Sequence, residues 1–455
     1  MMEWEELQQK AYSILACCKR VSFCEVRLEK VETWSAVISQ NRISKLYCTS
    51  SEGINLSLYS GTKKTTFFVP GEKAEDLEGT VSRFTKEMSD SLPPWIEEAE
   101  TESCCKELKK EINPLQETLT MGEWALQEGC SLQDNQGKIT AVVRGGNVKK
   151  AYMNNRQVES EFSCPFSEYD LYLQTDRGDF GHFNHVHRPP RESYDLFHTV
   201  TGYMKQISEA FPSAVQVNPC RCPLVLDAVP FSVLVHEAFG HLLEYDLATM
   251  ARFTRESLET SFTSPMVTIS DIPSVEGTFS IPFDDEGTVG KESLPVEKGI
   301  LKEFLVDREA AHETAQIPKG NGRAEGYRYA PMIRSRITVL HPGEHHFEEL
   351  LEEAEGGLYL YGTYLVEARP DGAFRLGVPL AYPIHRGELG TPFCGAVISG
   401  NIFDFLNQIT AIGRESRFQA GNCSKSVKGG IQKVKVGAVC PSAGFTSWNV
   451  ECDKG

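Results

Sequence analysis

No apolar run in the chain approaches the roughly 20 residues that a membrane-spanning helix needs. The opening stretch, MMEWEELQQKAYSILACCKR, is acidic and amphipathic and lacks the charged, apolar and small-residue zones of a secretory signal. It reads as the first helix of a cytoplasmic protein. C-x-x-C is missing too, which weighs against thiol redox chemistry. Of the 14 cysteines, Cys17-Cys18 and Cys104-Cys105 are adjacent pairs that suit ordinary disulfides poorly, so most should be buried thiols in a reducing compartment. There is no basic stripe, and the net charge of −17 disfavours direct contact with a phosphate backbone; a cationic peptide partner suits it better. Heptads, solenoid periods and low-complexity tracts are likewise absent.

At 455 residues the chain is long enough for two or three domains with substantial cores. After the first helix, SAVISQNR, SKLYCTS and GINLSLYS read as short alternating strands. Residues 70–129 turn acidic and helix-forming, with Pro93-Pro94 splitting them into at least two helices of a solvated insertion. Strands return in KITAVVRGG, VKKAYMNNRQ and EYDLYLQT, and Glu192 to Phe211 is an amphipathic helix. NPCRCP then marks a junction, and from Leu224 onward strands, turns and glycines dominate. The fold class expected is α+β. An N-terminal α/β domain over 1–218, with the helical segment inserted, precedes a larger β-rich domain over 219–455.

Within the second domain, PLVLDAVPFSVLVHEAFGHLLEYD packs His236, Glu237, His241, Glu244 and Asp246 into an apolar run, with Asp227 placed to cap the helix. Two imidazoles with a carboxylate beside the first are what a hydrolytic zinc site requires: neutral nitrogen ligands and a base for the attacking water. The spacing is H-E-x-x-x-H, one residue longer than the usual zincin pattern. Four steps on an α-helix separate two side chains by roughly 40°, five by roughly 140°. A regular helix therefore cannot aim both histidines at one ion, whereas a single π-bulge absorbs the extra residue. Gly240, with its permissive backbone, is where the bulge is expected. Two core histidines remain the plain alternative at this point.

Three other groups invite a site. His182, His185 and His187 form H-x-x-H-x-H in polar surroundings without an acidic partner, and read better as a loop or strand end. Cys220 and Cys222 are too isolated for a metal knuckle and read as structural. Asp284, Asp285 and Glu286 suggest a second metal, but consecutive side chains on a strand alternate in direction, so a turn with one buried carboxylate is preferred. Arg323 could anchor a substrate carboxylate or carbonyl, or pair internally with those acids.

With these residues in view, the chain resembles the TldD/PmbA family, also called modulators of DNA gyrase, in its TldD-type zinc metallopeptidase branch. HEAFGHLLEYD, VTISD followed by GTFSIPFDDEG, VEKGILKEFLVDREAA, KGNGR, Pro331–Arg336, PDGAF, AYPI and VISGN follow in the family's order across most of 220–425. The first half matches only in layout. The resemblance implies a third metal ligand, a cysteine near the C-terminus, and Cys423 in Gly421-Asn422-Cys423-Ser424-Lys425 occupies that place, with Cys440 as a weaker competitor. Ser424 stands where the family has Gly, and Ile384-His385-Arg386 where members often carry Ile-Glu. The resemblance further implies Zn2+ held by His236, His241 and Cys423, with Glu237 as catalytic base. Glu244 and Asp246 would orient the imidazoles, although Asp246 could equally serve the helix end. It implies a peptidase for short or unfolded peptides, paired as a homodimer or as a heterodimer with a PmbA-type subunit. The alternatives are a non-catalytic or regulatory subunit of such a complex and a regulator of DNA topology.

Overall fold

Alternation along the strand Phe23–Ser39 decides how the first half is built. Cys24, Val26 and Leu28 point to one face and are covered by Leu7, Ala11 and Ile14 of the helix Trp4–Cys17. The opposite face presents Glu25, Arg27 and Glu29, which are also buried, because loops from the second half of the chain pack onto it. The strand pairs with Arg42–Ser60 and with Gly137–Asn154 in an eight-stranded sheet. Its remaining strands include Lys63–Pro70, Glu159–Thr175, Gly178–Val186 and the short Lys106–Leu108. This is a computed structural model. It describes residues 2–18, 21–39, 41–60, 63–84, 91–97, 106–127, 133–134, 137–175, 178–186, 194–211, 213–275, 280–427 and 430–453.

The observed strands are longer than the sequence suggests. SKLYCTS and GINLSLYS lie within the single strand Arg42–Ser60. KITAVVRGG and most of VKKAYMNNRQ lie within Gly137–Asn154. The reason is visible at Gly145-Gly146, which resembles a turn. A Cβ on Gly146 would stand 2.3 Å from the Phe166 ring and 2.5 Å from the Glu32 carbonyl. These glycines permit close packing inside a sheet rather than a reversal. The region 70–129 contains the expected helices Glu75–Phe84, Pro94–Glu97 and Pro114–Gln127. It is not wholly a solvated insertion, since Met121 and Ala125 join the core between the two halves and Lys106–Leu108 adds a parallel strand.

The second sheet has 13 strands and is organised by Gly430–Cys452, which pairs with Ile409–Val427, Cys220–Leu226, Ile337–Leu340 and Phe393–Asn401. The chain enters this sheet at Val215–Gln216, after the helix Tyr194–Ala210. The α+β class therefore holds, with the larger and more β-rich sheet in the second half. The two sheets are locked together by charge. Arg308 donates to Glu25 at 2.5 Å, and Arg27 and Lys150 stand 3.1 and 3.3 Å from Asp285. Asn55 donates to the Tyr327 carbonyl at 2.8 Å. Among the described residues no helix is long and apolar enough to cross a membrane, and no disulfide forms.

Candidate metal centre

The site begins where the strand Cys220–Leu226 ends. Asp227 caps the helix Ala228–Leu234, its carboxylate accepting from the Val229 N–H at 3.0 Å and from the Tyr359 hydroxyl at 2.7 Å. Phe231, Leu234, Val235, Phe239, Leu242 and Leu243 are all buried, which fastens the segment inside the larger core. Each such side chain contributes about 1.5–3 kcal/mol of burial. Phe231 meets Phe445 of the central strand edge-on at 5.5 Å.

The helix then widens. Val235–Phe239 is a π turn, and the Gly240 N–H donates to the carbonyls of both Val235 and His236. A 3-10 turn, Gly240–Leu243, follows. The extra residue in H-E-x-x-x-H is thus absorbed where the spacing required it. Gly240 serves differently from the expectation, however. Its φ of −55° is ordinary right-handed helix, so no special backbone freedom is used. A Cβ there would stand 3.3 Å from Thr338 Oγ1. The missing side chain lets the neighbouring strand Ile337–Leu340 approach, and Thr338 Oγ1 in turn lies 3.4 Å from His236 Nδ1.

With the helix so wound, His236 and His241 face each other with ring centroids 5.3 Å apart. The strand Ile409–Val427 brings Cys423 to them, its Sγ 3.0 Å from His241 Nε2. Glu237 places its two oxygens 4.0 Å from His236 Nε2 and 3.5 Å from His241 Nε2. Ligand atoms from all four residues fall within 4.8 Å of one another, the sole such group of three or more among the described residues. His236 Nε2 is buried without a hydrogen-bond partner, an orphan that a cation would satisfy. Burial opposes ionisation of Cys423, but the adjacent His241 and His236 outweigh it and bring the thiol down to about 6. Burial opposes the Glu237 carboxylate as well, yet the two imidazoles hold it at about 2. A thiolate and two imidazoles, with a carboxylate beside them, form a group that fits zinc.

Glu244 is fully buried against this group. Its Oε1 lies 3.3 Å from His241 Nδ1 and accepts from the Ser335 N–H at 2.9 Å. Asp246 touches no histidine; it accepts from Lys425 at 2.7 Å and from its neighbour's N–H, Leu247, at 3.0 Å. Sequence reasoning missed Lys425, Thr338 and Arg334. Buried Arg334 donates to the Cys423 carbonyl at 2.8 Å. Lys425 was legible in principle, because it lies two residues beyond Cys423 on one strand face.

The other groups separate. Cys440 is buried elsewhere on the central strand, and burial pushes its thiol up to about 12. Cys220 and Cys222 face each other at 3.7 Å. His187 and the side chains of His182 and His185 lie outside the described residues. Asp284 accepts three backbone N–H bonds, from Glu286, Thr288 and Gly322, while Asp285 meets Arg27 and Glu286 accepts from the Arg308 N–H at 2.9 Å. They diverge within a turn, closed by the Gly287 N–H donating to the Asp284 carbonyl at 3.1 Å, with Asp284 as its buried carboxylate. Arg323 does not pair with the Asp284 or Glu286 side chain; its guanidinium donates to the carbonyls of Ser335 and Lys435, both at 2.5 Å.

Beside His236 and Glu237 opens a cavity of about 440 Å³ with Val229, Val233, Leu365 and Val366 on its walls. It shares Tyr172 and Asn422 with a larger, charged cavity of about 650 Å³ between the two sheets. The strand Leu365–Ala368 pairs on one flank with Ala373–His385.

A buried three-ligand group with a carboxylate at its side, opening on a cleft, defines a candidate metal centre of hydrolytic type. The family described as PmbA/TldA metallopeptidase C-terminal domain matches residues 219–451, which contain all four of these residues. The chain belongs to the PmbA/TldD family. It is 36% identical over 240 residues to a metalloprotease of Archaeoglobus fulgidus, covering 51% of this chain and 55% of that one. It is 32% identical over 230 residues to the zinc metalloprotease TldD homolog of Saccharolobus solfataricus, covering 47% and 51%. The chain spans about half the length of the curated relatives it matches. Its fold is that of TldE from Thermococcus kodakarensis, with a TM-score of 0.72 at 15% identity over 97% of this chain and 99% of that one.

Proposed function

We propose that the chain is a zinc-dependent peptidase that hydrolyses short or unfolded peptides. The observation that carries this is the convergence of His236, Glu237, His241 and Cys423 within 4.8 Å beside an open cleft. His236, His241 and Cys423 would hold the ion. Zinc bound there supplies a Lewis acid for the scissile carbonyl and acidifies the attacking water. Glu237, part-exposed and ionised at neutral pH, accepts a proton from that water and returns it to the departing amine. Glu244 orients the His241 ring through Nδ1. Asp246 acts at one remove, through Lys425. The strand Leu365–Ala368 offers an extended peptide a backbone ladder beside Glu237, which reads main chain more than side chains. Arg323, held by the Ser335 and Lys435 carbonyls, lines the larger cavity, where it stands within reach of a bound peptide.

Retention of both histidines and the glutamate favours a catalytic chain over a non-catalytic or regulatory subunit. Two names, TldD for a relative and TldE for a structural neighbour, support pairing with a second subunit of the family, with self-association as the alternative. Gel filtration with and without a PmbA-type chain separates the two. The net charge of −17 supports a role without direct nucleic-acid contact. Replacing Glu237 by alanine should leave zinc content unchanged and lower hydrolysis of an unstructured peptide by about 10²–10⁴-fold. A fully active Glu237→Ala variant would remove the proposed base.

A further inference from the structure

We infer that Lys425 is a positioning residue for the metal site: its ammonium fixes the Glu244 carboxylate beside His241 Nδ1 and so holds the imidazole with Nε2 toward Cys423. This rests on the zinc reading above and goes beyond it to a residue that ligates nothing.

The geometry leaves Lys425 little other work. Its side chain is 3% exposed, and a buried ammonium is costly unless each of its three protons finds an acceptor. Here all three do. Nζ donates to Glu244 Oε2 at 2.6 Å, Asp246 Oδ1 at 2.7 Å and the Ile333 carbonyl at 2.8 Å. Glu244 is fully buried, and its other oxygen is held by the Ser335 N–H at 2.9 Å. The carboxylate is therefore fixed from two directions, with Oε1 3.3 Å from His241 Nδ1. That contact lies within hydrogen-bond reach but is not aligned as a hydrogen bond. A proton on Nδ1 leaves the Nε2 lone pair facing Cys423, 3.0 Å away. Because Lys425 follows Cys423 by two residues, one strand supplies both the thiol and the clamp on the opposing histidine. The two halves of the site, 182 residues apart in sequence, are thus held in register by one side chain.

The rival account is that Lys425 merely neutralises a buried carboxylate. Lys425→Met, Glu244→Gln and the double variant distinguish the two when zinc affinity is measured by chelator competition and the site by cobalt(II)–thiolate absorption. Thermal unfolding checks the fold. Positioning predicts a 10–100-fold loss of zinc affinity in each single variant and an altered cobalt spectrum. It also predicts that the double variant is no weaker than the worse single one, because the residues act in one chain of contacts. Simple neutralisation predicts that the double variant regains wild-type affinity along with stability. That result, or Lys425→Met binding zinc within about twofold of wild type, overturns the inference. If Lys425→Met does not fold, the near-isosteric Glu244→Gln reads the same chain, and unchanged affinity there overturns it equally. Wild type that binds no zinc would overturn the function proposed above and this inference with it; the other outcomes bear on Lys425 alone.

Discussion

Replacing Glu25 by glutamine should weaken the electrostatic join between the two halves of the fold, and the cost can be worked from the structure. Glu25 is buried and accepts from Arg308 at 2.5 Å, Tyr59 at 2.6 Å and Tyr152 at 3.1 Å, with Lys64 at 3.5 Å. Burial alone would raise its pKa, but Arg308 and Lys64, with the Tyr59 hydrogen bond, lower it from the ordinary 4.5 to about 2. That depression corresponds to about 3 kcal/mol at neutral pH. It agrees with the roughly 3–5 kcal/mol lost when one member of a buried ion pair is removed. Because the folded pKa lies below the unfolded one, the stabilisation is complete above about pH 5 and falls away as pH drops toward 2. Urea unfolding of wild type and Glu25→Gln, run at pH 7, 5 and 3.5, isolates this group from the other titrating carboxylates by difference. The gap should be about 3 kcal/mol at pH 7, nearly unchanged at pH 5 and clearly smaller at pH 3.5. A gap of equal size at every pH would show that the loss is steric and refute the electrostatic argument.

Two further outcomes follow from the helix and the thiols. Gly240→Val should destabilise the fold by about 1–3 kcal/mol by crowding Thr338 and weaken metal binding through His236. Gly240→Ala should stay near neutral, since better helix propensity of about 1 kcal/mol offsets the tighter contact; thermal unfolding and zinc competition check both. Cys440→Ser should leave zinc affinity unchanged while Cys423→Ser weakens it by orders of magnitude, because only the latter thiol meets the histidines.

Legibility divides by distance along the chain. The π turn could be read from five-step spacing once both histidines were taken to share one ion, because a regular helix points them about 140° apart. Cys423 could not: it was supplied by the resemblance, and nothing local marks it among 14 cysteines. Thr338 contacts a histidine 102 residues away, and no pattern in either segment announces the meeting. Glu25, Arg27 and Glu29 of Phe23–Ser39 are buried under distant loops, which the alternation of that strand does not announce. Gly145-Gly146, where the expected strand KITAVVRGG ended, lie mid-strand because their missing side chains make room for Thr118 of a helix and Phe166 of the next strand, neither of which is local.

Zinc stoichiometry of the purified chain tests the central claim most directly. After supplementation with zinc and exhaustive dialysis, elemental analysis of wild type should find about one zinc per chain, with His236→Ala and Cys423→Ser well below that. A wild-type chain with no zinc, or variants that retain it in full, would contradict the account.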